Sequence, residues 1–392
     1  MKIVGINTSH DSSVAQITDD SVDFILDEPR FRKDKWWNPK TNGQSNMYLS
    51  VEHRQVEQPD HLIFTSYDRR AVGMRLSDQI VKEHNVQRNI RDEIASTPMT
   101  ADRFEYFTNN EDKFGVEFEW ITKEDQIIHE EIAQNQFEGM EFTFDGEHHL
   151  YHAVCSHHLS PYEDCIAIVW DGGGACRLWD EYPNYQEMES IYYCTPDAQP
   201  QLQWQRLSNA RHLYEWGYQL ANLQFDSLIN WKDEVIKDGN AEVVISSRPS
   251  SGMNFSNLSK VFGTDPLGRG AGKIMGMASY GTVHFNYFNQ YSVAQQCEEE
   301  SYLDACRIIQ NAIRLNPDCK NIVLSGGFSL NCTNNYKYLS EFPDHQFFVD
   351  PIPHDGGTAL GAALWLKRDL QEEEDAKDEI LSNSLVLSKE EE

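Results

Sequence analysis

Four turns built from glycine and other small residues, each directly after a short apolar stretch, constrain the fold of this chain most. They are NTSHDSS (7–13), DGGG (171–174), SGGFSLN (325–331) and HDGGTALG (354–361). Glycines behind a strand let backbone N–H groups approach an anion, and a following helix adds the positive end of its dipole. One such turn is a weak signal, but four in two pairs indicate a nucleotide in a cleft between two similar halves. No turn matches G-x-x-x-x-G-K-[ST] or G-x-G-x-x-G, which disfavours P-loop and dinucleotide sites.

The pattern along the chain predicts two half-sheets with helices between their strands. KIVGIN reads as a strand, residues 13–27 as two strands joined at an Asp-Asp turn, and CIAIVWDGGGACRLWDE as strand, turn and strand. Helical spacing predicts helices over 77–98, 205–235 and 301–316, whereas 104–121 is strand material or an insertion. We predict a first half-domain over 1–160, a second over 161–370 and an acidic tail over 371–392.

Charge and composition narrow the class of partner. The 392 residues carry a net charge of −30, which repels phosphate backbones at long range and disfavours nucleic acid unless a local basic patch exists. No apolar stretch is long enough for a membrane span and no signal peptide precedes the first strand. Eight scattered cysteines without a C-x-x-C pair suit free thiols in a cytoplasmic protein.

A dense histidine segment, GEHHLYHAVCSHHLSP (146–161), holds five of the fourteen histidines. His148 and His152 are four residues apart, so a helix would place both imidazoles on one face. Asp171 and Asp355 open two of the small-residue turns at strand ends. Two imidazoles and two carboxylates suit Fe²⁺, Mn²⁺ or Zn²⁺. The alternatives are a packed histidine cluster and two aspartates that only stabilise turns.

Further candidate residues lie in or near the other turns. Lys273, behind the glycines of GAGKIMG, could meet a phosphate, or it is simply an exposed lysine. His10 and Asp11 follow the first strand, where a histidine could orient a hydroxyl, or where the two form a buried pair. RFRKDKWWNPK (30–40) is the densest basic and aromatic run: a surface loop, or a patch where a base stacks on Trp36 or Trp37.

Taken together, these segments resemble the NodU/CmcH family of O-carbamoyltransferases, to which the tobramycin and cephamycin carbamoyltransferases belong. GINTSHDSS resembles the family's opening G-I-x-x-x-H-D-x-S, and HHLYHAVC followed by IVWDGGG resembles H-H-x-x-H-A and D-G-x-G. GKIMGMASYG, GGFSLNCTNN and HDGGTALGAA resemble three further family motifs in the same order. The five motifs span residues 3 to about 366.

The resemblance implies an α/β protein of the actin/Hsp70-like (ASKHA) fold, with duplicated half-domains and a nucleotide and metal cleft between them. It implies a divalent metal, Fe²⁺ first, held by His148, His152, Asp171 and Asp355. It also implies a catalytic group of His10, Asp11 and Lys273. The nucleotide would be ATP or carbamoyladenylate, with carbamoyl phosphate as donor. The residues expected at the nucleotide are Gly172, Gly173, Lys273, Gly326, Gly327, Asn331 and Gly356.

The sequence also departs from the family pattern. The acidic residue expected after D-G-x-G is Ala175, and the acceptor motif is altered to DEPRFRKDKWW. Family members usually carry a YrdC-like domain that makes carbamoyladenylate, where this chain has an acidic tail, so a YrdC-like partner is one expectation. The compact form favours a hydroxymethylated pyrimidine, such as 5-hydroxymethylcytosine in DNA or nucleotide, as acceptor. Alternatives are an antibiotic or sugar acceptor, a tRNA threonylcarbamoyl-transfer enzyme, and a non-catalytic ATP-binding regulatory module.

Overall fold

The computed structural model consists of two mixed β-sheets with helices packed on them. It describes residues 1–19, 21–33, 37, 39, 48–66, 128–179, 182–209, 233–238, 241–246, 250–265, 270–281 and 289–390. The helix predicted over 77–98 lies outside the described residues, and so does the segment 104–121, which was expected to be strand material or an insertion. None of the described helices is long and apolar enough to cross a membrane.

The first sheet has five strands in the order β3-β2-β1-β4-β5. The strands are β1 (Lys2–Asn7), β2 (Ser13–Thr18), β3 (Ser21–Asp27), β4 (His61–Thr65) and β5 (Thr143–Asp145). The first three form an antiparallel meander, and β4 and β5 continue the sheet parallel to β1. β1 is apolar and buried along almost its whole length, as expected for a central strand covered on both faces.

The second sheet has eight strands, seven of them in the order β10-β11-β9-β8-β6-β12-β13, with β7 paired to β8. The strands are β6 (Cys165–Trp170), β7 (Cys176–Trp179), β8 (Tyr182–Thr195), β9 (Ala198–Asn209), β10 (Asp233–Asp238), β11 (Ala241–Ser246), β12 (Asn321–Ser325) and β13 (Gln346–Val349). β6, β8 and β9 form an antiparallel meander, and β12 and β13 follow parallel to β6. The order and directions of β9-β8-β6-β12-β13 repeat those of β3-β2-β1-β4-β5. This repeat confirms the predicted duplicated halves of the actin/Hsp70-like fold.

Nine helices are described. They are α1 (Glu28–Arg32), α2 (Leu49–Arg54), α3 (128–136), α4 (His148–Leu159), α5 (Ser251–Val261), α6 (Ala271–Ala278), α7 (Gln290–Leu315), α8 (Cys332–Glu341) and α9 (Thr358–Glu390). The apolar start of α9 packs on α4 and on the first sheet, where Ala359 and Ala363 share one buried cluster with Ile3, Tyr151 and Val154. The last helix therefore returns to the first half of the molecule. The acidic tail continues α9, and its described side chains over 371–377 are exposed.

One predicted helix is wrong within the described residues. Residues 205–209 belong to β9 and residues 233–235 to β10, whereas a helix was expected over 205–235. Trp204 and Leu207 are both buried and stand three residues apart, a spacing that imitates one face of a helix. Pairing with β8 on one side and β11 on the other fixes this segment as a strand. The predicted boundary between half-domains near residue 160 stays a prediction.

Candidate metal centre

Helix α4 brings the two predicted histidines together at the edge of the second sheet. His148 is the first residue of the helix and His152 follows one turn later, and both side chains are buried. Their Nε2 atoms lie 3.2 Å apart, with the ring planes nearly perpendicular. Tyr151, Val154 and Cys155 of the same helix pack into a buried cluster with the first sheet and α9, which fixes the helix in place. The two imidazoles therefore converge on one point.

The two predicted aspartates reach the same point, Asp171 from a strand end as expected and Asp355 from a turn six residues after the end of β13. Asp171 directly follows β6, and its Oδ2 lies 3.2 Å from Nε2 of His148. Asp355 begins a 3₁₀ turn over Asp355–Gly357, just before α9, and its Oδ1 lies 3.7 Å from that nitrogen. The distance from Asp355 Oδ1 to Nε2 of His152 is 4.0 Å. The gathering of these four residues agrees with the sequence prediction.

The spacing of the four donor atoms suits a single divalent cation. All four lie within 4.8 Å of one another, and every one of the four residues is buried. Metal–nitrogen and metal–oxygen bonds of about 2.0–2.2 Å put opposite ligands about 4.0–4.4 Å apart and neighbouring ligands about 3 Å apart. The 3.2 Å separations therefore already fit neighbouring ligands, and the 3.7 and 4.0 Å separations from Asp355 to the two histidines need to contract by at most about 1 Å. Two nitrogen and two carboxylate donors are also the set preferred by iron, manganese or zinc.

The pKa values of the four groups are shifted in different directions. Burial raises the pKa of Asp355 well above its usual value, and the negative charge of Asp171 adds to this rise. Burial also opposes ionisation of Asp171, but the hydrogen bond and charge of His148 outweigh it and hold the pKa of Asp171 far below its usual value. Burial and the positive charge of His148 lower the pKa of His152, whereas Asp355 and Asp171 overcome burial and raise the pKa of His148. The set thus holds protons that a bound cation must displace, so cation binding strengthens as the pH rises.

The first small-residue turn, after β1, meets the cluster from the first half-domain. Nδ1 of His10 lies 3.1 Å from Oδ2 of Asp355, and the hydroxyl of Ser9 donates to the same oxygen at 3.2 Å. The side chain of Asn7 donates to the backbone oxygen of Asp355. Asp11 follows in a left-handed conformation, φ 54°, with its carboxylate 3.7 Å from His10. Both predicted residues of this turn, His10 and Asp11, therefore stand at the edge of the four-residue cluster, and both are partly exposed.

Part of this site lies in a segment that is similar to a known protein family. Residues 295–364 match the family model described as the carbamoyltransferase N-terminus. The nodulation protein NolNO of Sinorhizobium fredii is 39% identical over 67 residues, which are 16% of this chain and 10% of that protein. Over this segment the chain is similar to carbamoyltransferases. The matched segment includes Asp355, so a member of the four-residue cluster lies inside the family region.

Solved structures with a similar course of the chain include two HypF proteins and a sugar-bound protein. HypF in its phosphate- and nucleotide-bound form is 12% identical, with a TM-score of 0.45 over 95% of this chain and 56% of HypF. HypF of T. kodakarensis is 12% identical, with a TM-score of 0.49 over 95% of this chain and 48% of that one. A ROK family protein from Streptococcus pneumoniae in complex with sucrose is 11% identical, with a TM-score of 0.43 over 95% and 100% of the two chains.

Four of the predicted nucleotide residues, Gly172, Gly173, Gly326 and Gly327, lie in two turns that contact each other. A Cβ atom on Gly326, whose φ is +85°, would lie 2.6 Å from the carbonyl carbon of Trp170, so the close crossing of the turns requires glycine. The amide of Gly327 donates to Oδ1 of Asp171 at 3.0 Å. A Cβ on Gly173 would meet the side chain of Gln186, whereas Gly172 has open space at that position. The two turns therefore support Asp171 directly.

Three other predicted nucleotide residues have structural partners of their own. The side chain of Asn331 caps α8 by accepting from the amide of Asn334, and its amide group donates to Glu298. Gly356 lies so close to His354 that a Cβ atom would overlap the imidazole. Lys273 is exposed on α6 and donates to the backbone oxygen of Thr264 at 3.4 Å. Roles of these residues at a nucleotide remain predictions.

A buried polar network that the sequence did not predict lies next to His148 and includes His149. His149 Nδ1 lies 2.8 Å from the hydroxyl of Ser190, and Gln205 donates both to that hydroxyl and to Glu187. The carboxylate of Glu187 accepts from the amide of Ala175, at the end of the turn after β6. The carboxylate of Glu187 therefore lies beside Ala175, the residue at which the resemblance led us to expect an acidic side chain. The histidine doublet was the only signal in the sequence, because Glu187 and Gln205 lie on neighbouring strands.

The run over 30–40 was expected to be a surface loop or a binding patch, but two of its described residues, Arg32 and Trp37, pack within the fold. Trp37 is buried against Tyr48 at an edge-on ring distance of 5.4 Å, and the guanidinium group of Arg32 lies over its indole at 4.6 Å. Arg32 also pairs with the buried carboxylate of Glu28. The hypothesis of a base stacked on Trp37 is therefore wrong, because the ring belongs to the core. Trp36 and Lys40 lie outside the described residues.

Proposed function

We propose that this chain is a metal-dependent O-carbamoyltransferase. The observation that supports this function best is the coincidence of two features at one place. The segment related to carbamoyltransferases, 295–364, contributes Asp355, and the buried donor set to which Asp355 belongs suits a divalent cation. A structural cluster would not need two imidazole nitrogens and two carboxyl groups converging within 4.8 Å.

His148, His152, Asp171 and Asp355 would hold the metal in this proposal, with iron as the first candidate. A bound divalent cation would supply Lewis-acid polarisation to an oxygen of the carbamoyl donor. The chain's own residues would bind and orient the donor beside it. Glycine turns at 172–173 and 326–327 would approach the phosphate and ribose groups, and Lys273 would meet phosphate as a point charge.

His10 is the proposed base for the acceptor hydroxyl. Its Nδ1 faces Oδ2 of Asp355, so a neutral ring that donates from Nδ1 carries its lone pair on Nε2. The acceptor oxygen would attack the carbonyl carbon of carbamoyladenylate while its proton passes to Nε2. The bond from that carbon to the phosphate oxygen then breaks, and AMP leaves with the bonding electrons. Asp11, beside His10, would orient the imidazole or the incoming hydroxyl.

The donor carbamoyladenylate would form from carbamoyl phosphate and ATP. A YrdC-like partner is the proposed source, since that is the activity the family resemblance associates with a second domain. This chain covers about a tenth of the length of NolNO through its match, so the full activity is a proposal and not a transfer from that relative.

The acceptor is proposed to be a hydroxymethylated pyrimidine, such as 5-hydroxymethylcytosine in nucleotide or DNA. A small-molecule alcohol is a second candidate because of two observations. Arg32 and Trp37, which were to form the nucleic-acid patch, are engaged with Glu28 and Tyr48 inside the fold. The net charge of −30 opposes approach to a duplex. A free nucleotide or a sugar avoids both difficulties.

Mass spectrometry of products tests the function. The purified chain is incubated with Fe²⁺, ATP, carbamoyl phosphate and single acceptors: hydroxymethylcytosine DNA, its nucleotide and an aminoglycoside. Synthetic carbamoyladenylate replaces ATP and carbamoyl phosphate in a parallel series. We expect one carbamoyl group on one acceptor, and the loss of that product by orders of magnitude in His148→Ala. Nucleotide binding without any transfer in either series would refute the transferase and favour a regulatory ATP-binding module.

A further inference from the structure

Three buried side chains form a line that ends at the metal cluster. The hydroxyl of Ser325 lies 2.7 Å from Oδ2 of Asp350 and 3.4 Å from Nδ1 of His152. All three side chains are at least 98% buried. On the opposite side of its ring, His152 directs Nε2 toward His148 and Asp355. The Nε2 edge of the imidazole thus faces the cluster, and the Nδ1 edge faces a hydroxyl that is hydrogen-bonded to a carboxylate.

The backbone fixes Asp350 and Ser325 in this arrangement. Ser325 is the last residue of β12 and Asp350 directly follows β13, its parallel neighbour. The amide of Asp350 donates to the carbonyl of Leu324, and Oδ1 of Asp350 accepts from the amide of Ile352 at 2.8 Å. The second carboxylate oxygen is therefore left to face Ser325. The Asp350 side chain cannot turn away without breaking its hydrogen bond to the amide of Ile352, and the Ser325 hydroxyl is held by its hydrogen bond to Asp350.

The number of hydrogen-bond donors in this line of side chains determines which ring nitrogen of His152 carries the proton. An ionised carboxylate only accepts, so the single hydroxyl proton of Ser325 goes to Asp350 at the shorter distance. Toward His152, Ser325 can only accept, and Nδ1 of His152 must carry the proton. A neutral imidazole with its proton on Nδ1 has its lone pair on Nε2. That is the nitrogen that lies among the other donors of the cluster.

We propose that Ser325 and Asp350 are positioning residues for the metal centre, which hold His152 in the Nδ1–H tautomer and aim its Nε2 lone pair at the cation. This inference rests on the proposed metal site of the carbamoyltransferase. Carboxylates that orient a metal-binding histidine in this way raise the basicity of the ligand, and their loss costs about 10–100-fold in metal affinity. Here the carboxylate acts through a serine hydroxyl.

Two variants separate this role from simple packing. In Ser325→Ala the acceptor at Nδ1 is lost and the tautomer is no longer imposed. In Asp350→Asn the amide oxygen must face the amide of Ile352, because two N–H groups would otherwise meet. Its NH₂ group then donates to Ser325, whose proton turns to Nδ1 of His152 and forces the Nε2–H tautomer. Asp350→Asn should therefore impair metal binding at least as much as Ser325→Ala, although it is nearly isosteric.

The first measurement is ¹⁵N NMR of histidine-labelled protein without metal at about pH 8, above the ordinary imidazole pKa. The His152 signals are assigned by their loss in His152→Gln. We expect the Nδ1–H tautomer in the wild type and the Nε2–H tautomer in Asp350→Asn. An Nε2–H tautomer in the wild type, or an unchanged spectrum in Asp350→Asn, would overturn the proposal. This readout does not depend on any transferase activity or on metal binding.

The second measurement is titration with Co²⁺ followed by its visible absorption. The matched control is Ser156→Ala, which removes another buried hydroxyl, one turn beyond His152 on α4, that donates only to the backbone oxygen of Ala153. We expect Kd to rise about 10–100-fold in both Ser325→Ala and Asp350→Asn and to stay unchanged in the control. Wild-type binding with equal affinity in all variants would overturn the proposal. Absence of binding in the wild type would instead refute the metal site. The tautomer seen by NMR would still test whether Asp350 and Ser325 fix the proton of His152.

Discussion

The close crossing of two turns makes Gly326 the most sensitive glycine of the candidate centre. Its φ of +85° and ψ of 157° lie in a region that is almost restricted to glycine. A Cβ atom there would lie 2.6 Å from the carbonyl carbon of Trp170 and 3.0 Å from the amide nitrogen of Asp171. Both neighbours are backbone atoms at the end of β6, which cannot rotate away as a side chain can. Gly326→Ala must therefore strain its own backbone and displace the start of the Asp171 turn.

Two contributions give the expected loss of stability in Gly326→Ala. Forcing a residue with a Cβ into this backbone region costs about 1–3 kcal/mol. Overpacking against a rigid neighbour costs about 1–3 kcal/mol more. The free energy of unfolding should thus fall by about 2–6 kcal/mol, a large part of the 5–15 kcal/mol typical of folded proteins. Since Gly327, the next residue, donates to Asp171, Co²⁺ affinity should fall as well.

Gly172→Ala is the matched control for this prediction. It lies in the opposite turn, its φ is outside the left-handed range, and no atom lies within 4 Å of the added Cβ. Urea denaturation followed by tryptophan fluorescence measures both variants, and we expect the control to stay within about 1 kcal/mol of the wild type or to gain stability. Equal stability of Gly326→Ala and the wild type, or equal loss in both variants, would refute the argument from the crossing.

Three further predictions concern the cluster and the fold around it. His148→Ala should abolish high-affinity Co²⁺ binding while nucleotide binding, measured by calorimetry, survives. Arg206→Met leaves the buried carboxylate of Glu189 without its bidentate partner and should cost about 3–5 kcal/mol in urea denaturation, whereas the double variant with Glu189→Leu should recover most of this loss. Burial lowers the pKa of His157, so the folded state favours the neutral ring, and its contribution to stability is present above about pH 6.5 and lost as the pH falls further. In His157→Gln the free energy of unfolding should fall less steeply as the pH drops below about 6.5. An unchanged dependence on pH would contradict this role of His157.

The four-residue cluster could be predicted from sequence because each of its members carries a local signal. His148 and His152 have helical spacing, and Asp171 and Asp355 each open a small-residue turn behind an apolar strand. Two further facts of the fold then follow from simple geometry. The carboxyl ends of β6, β12 and β13 meet at one edge because these strands are parallel, and α4 packs against that edge. Residues near those ends must therefore converge.

The supporting residues could not be predicted because their signals are ordinary. Ser325 and Asp350 are a serine and an aspartate at strand ends, where such residues usually just stabilise turns. Their relation depends on the pairing of β12 with β13, which no short stretch of sequence encodes. Glu187 is similar, since it reaches Ala175 only through the pairing of β7 and β8. Partners that are distant in sequence need the sheet before they can be recognised.

Trp37 shows the opposite error, in which a local pattern suggested too much. A tryptophan among basic residues resembles a stacking surface for a base, but the pattern does not say which side of the chain faces solvent. Here Arg32 covers the ring from outside and pairs with the buried Glu28, whose carboxylate also accepts from the first amides of α2. The positive charge therefore serves the fold of the first half-domain. Burial, and not composition, decides whether such a run can bind nucleic acid.

Charge balance gives a last argument for a divalent ion at the cluster. With both imidazoles neutral and both carboxylates ionised, Asp171 and Asp355 contribute two negative charges in a buried space, and a cation of charge two neutralises them without remainder. Without it, burial and the charge of Asp171 raise the pKa of Asp355, and Asp355 and Asp171 outweigh burial and raise the pKa of His148, so both groups hold their protons to higher pH. A monovalent cation would leave one buried charge uncompensated, at a cost of several kcal/mol.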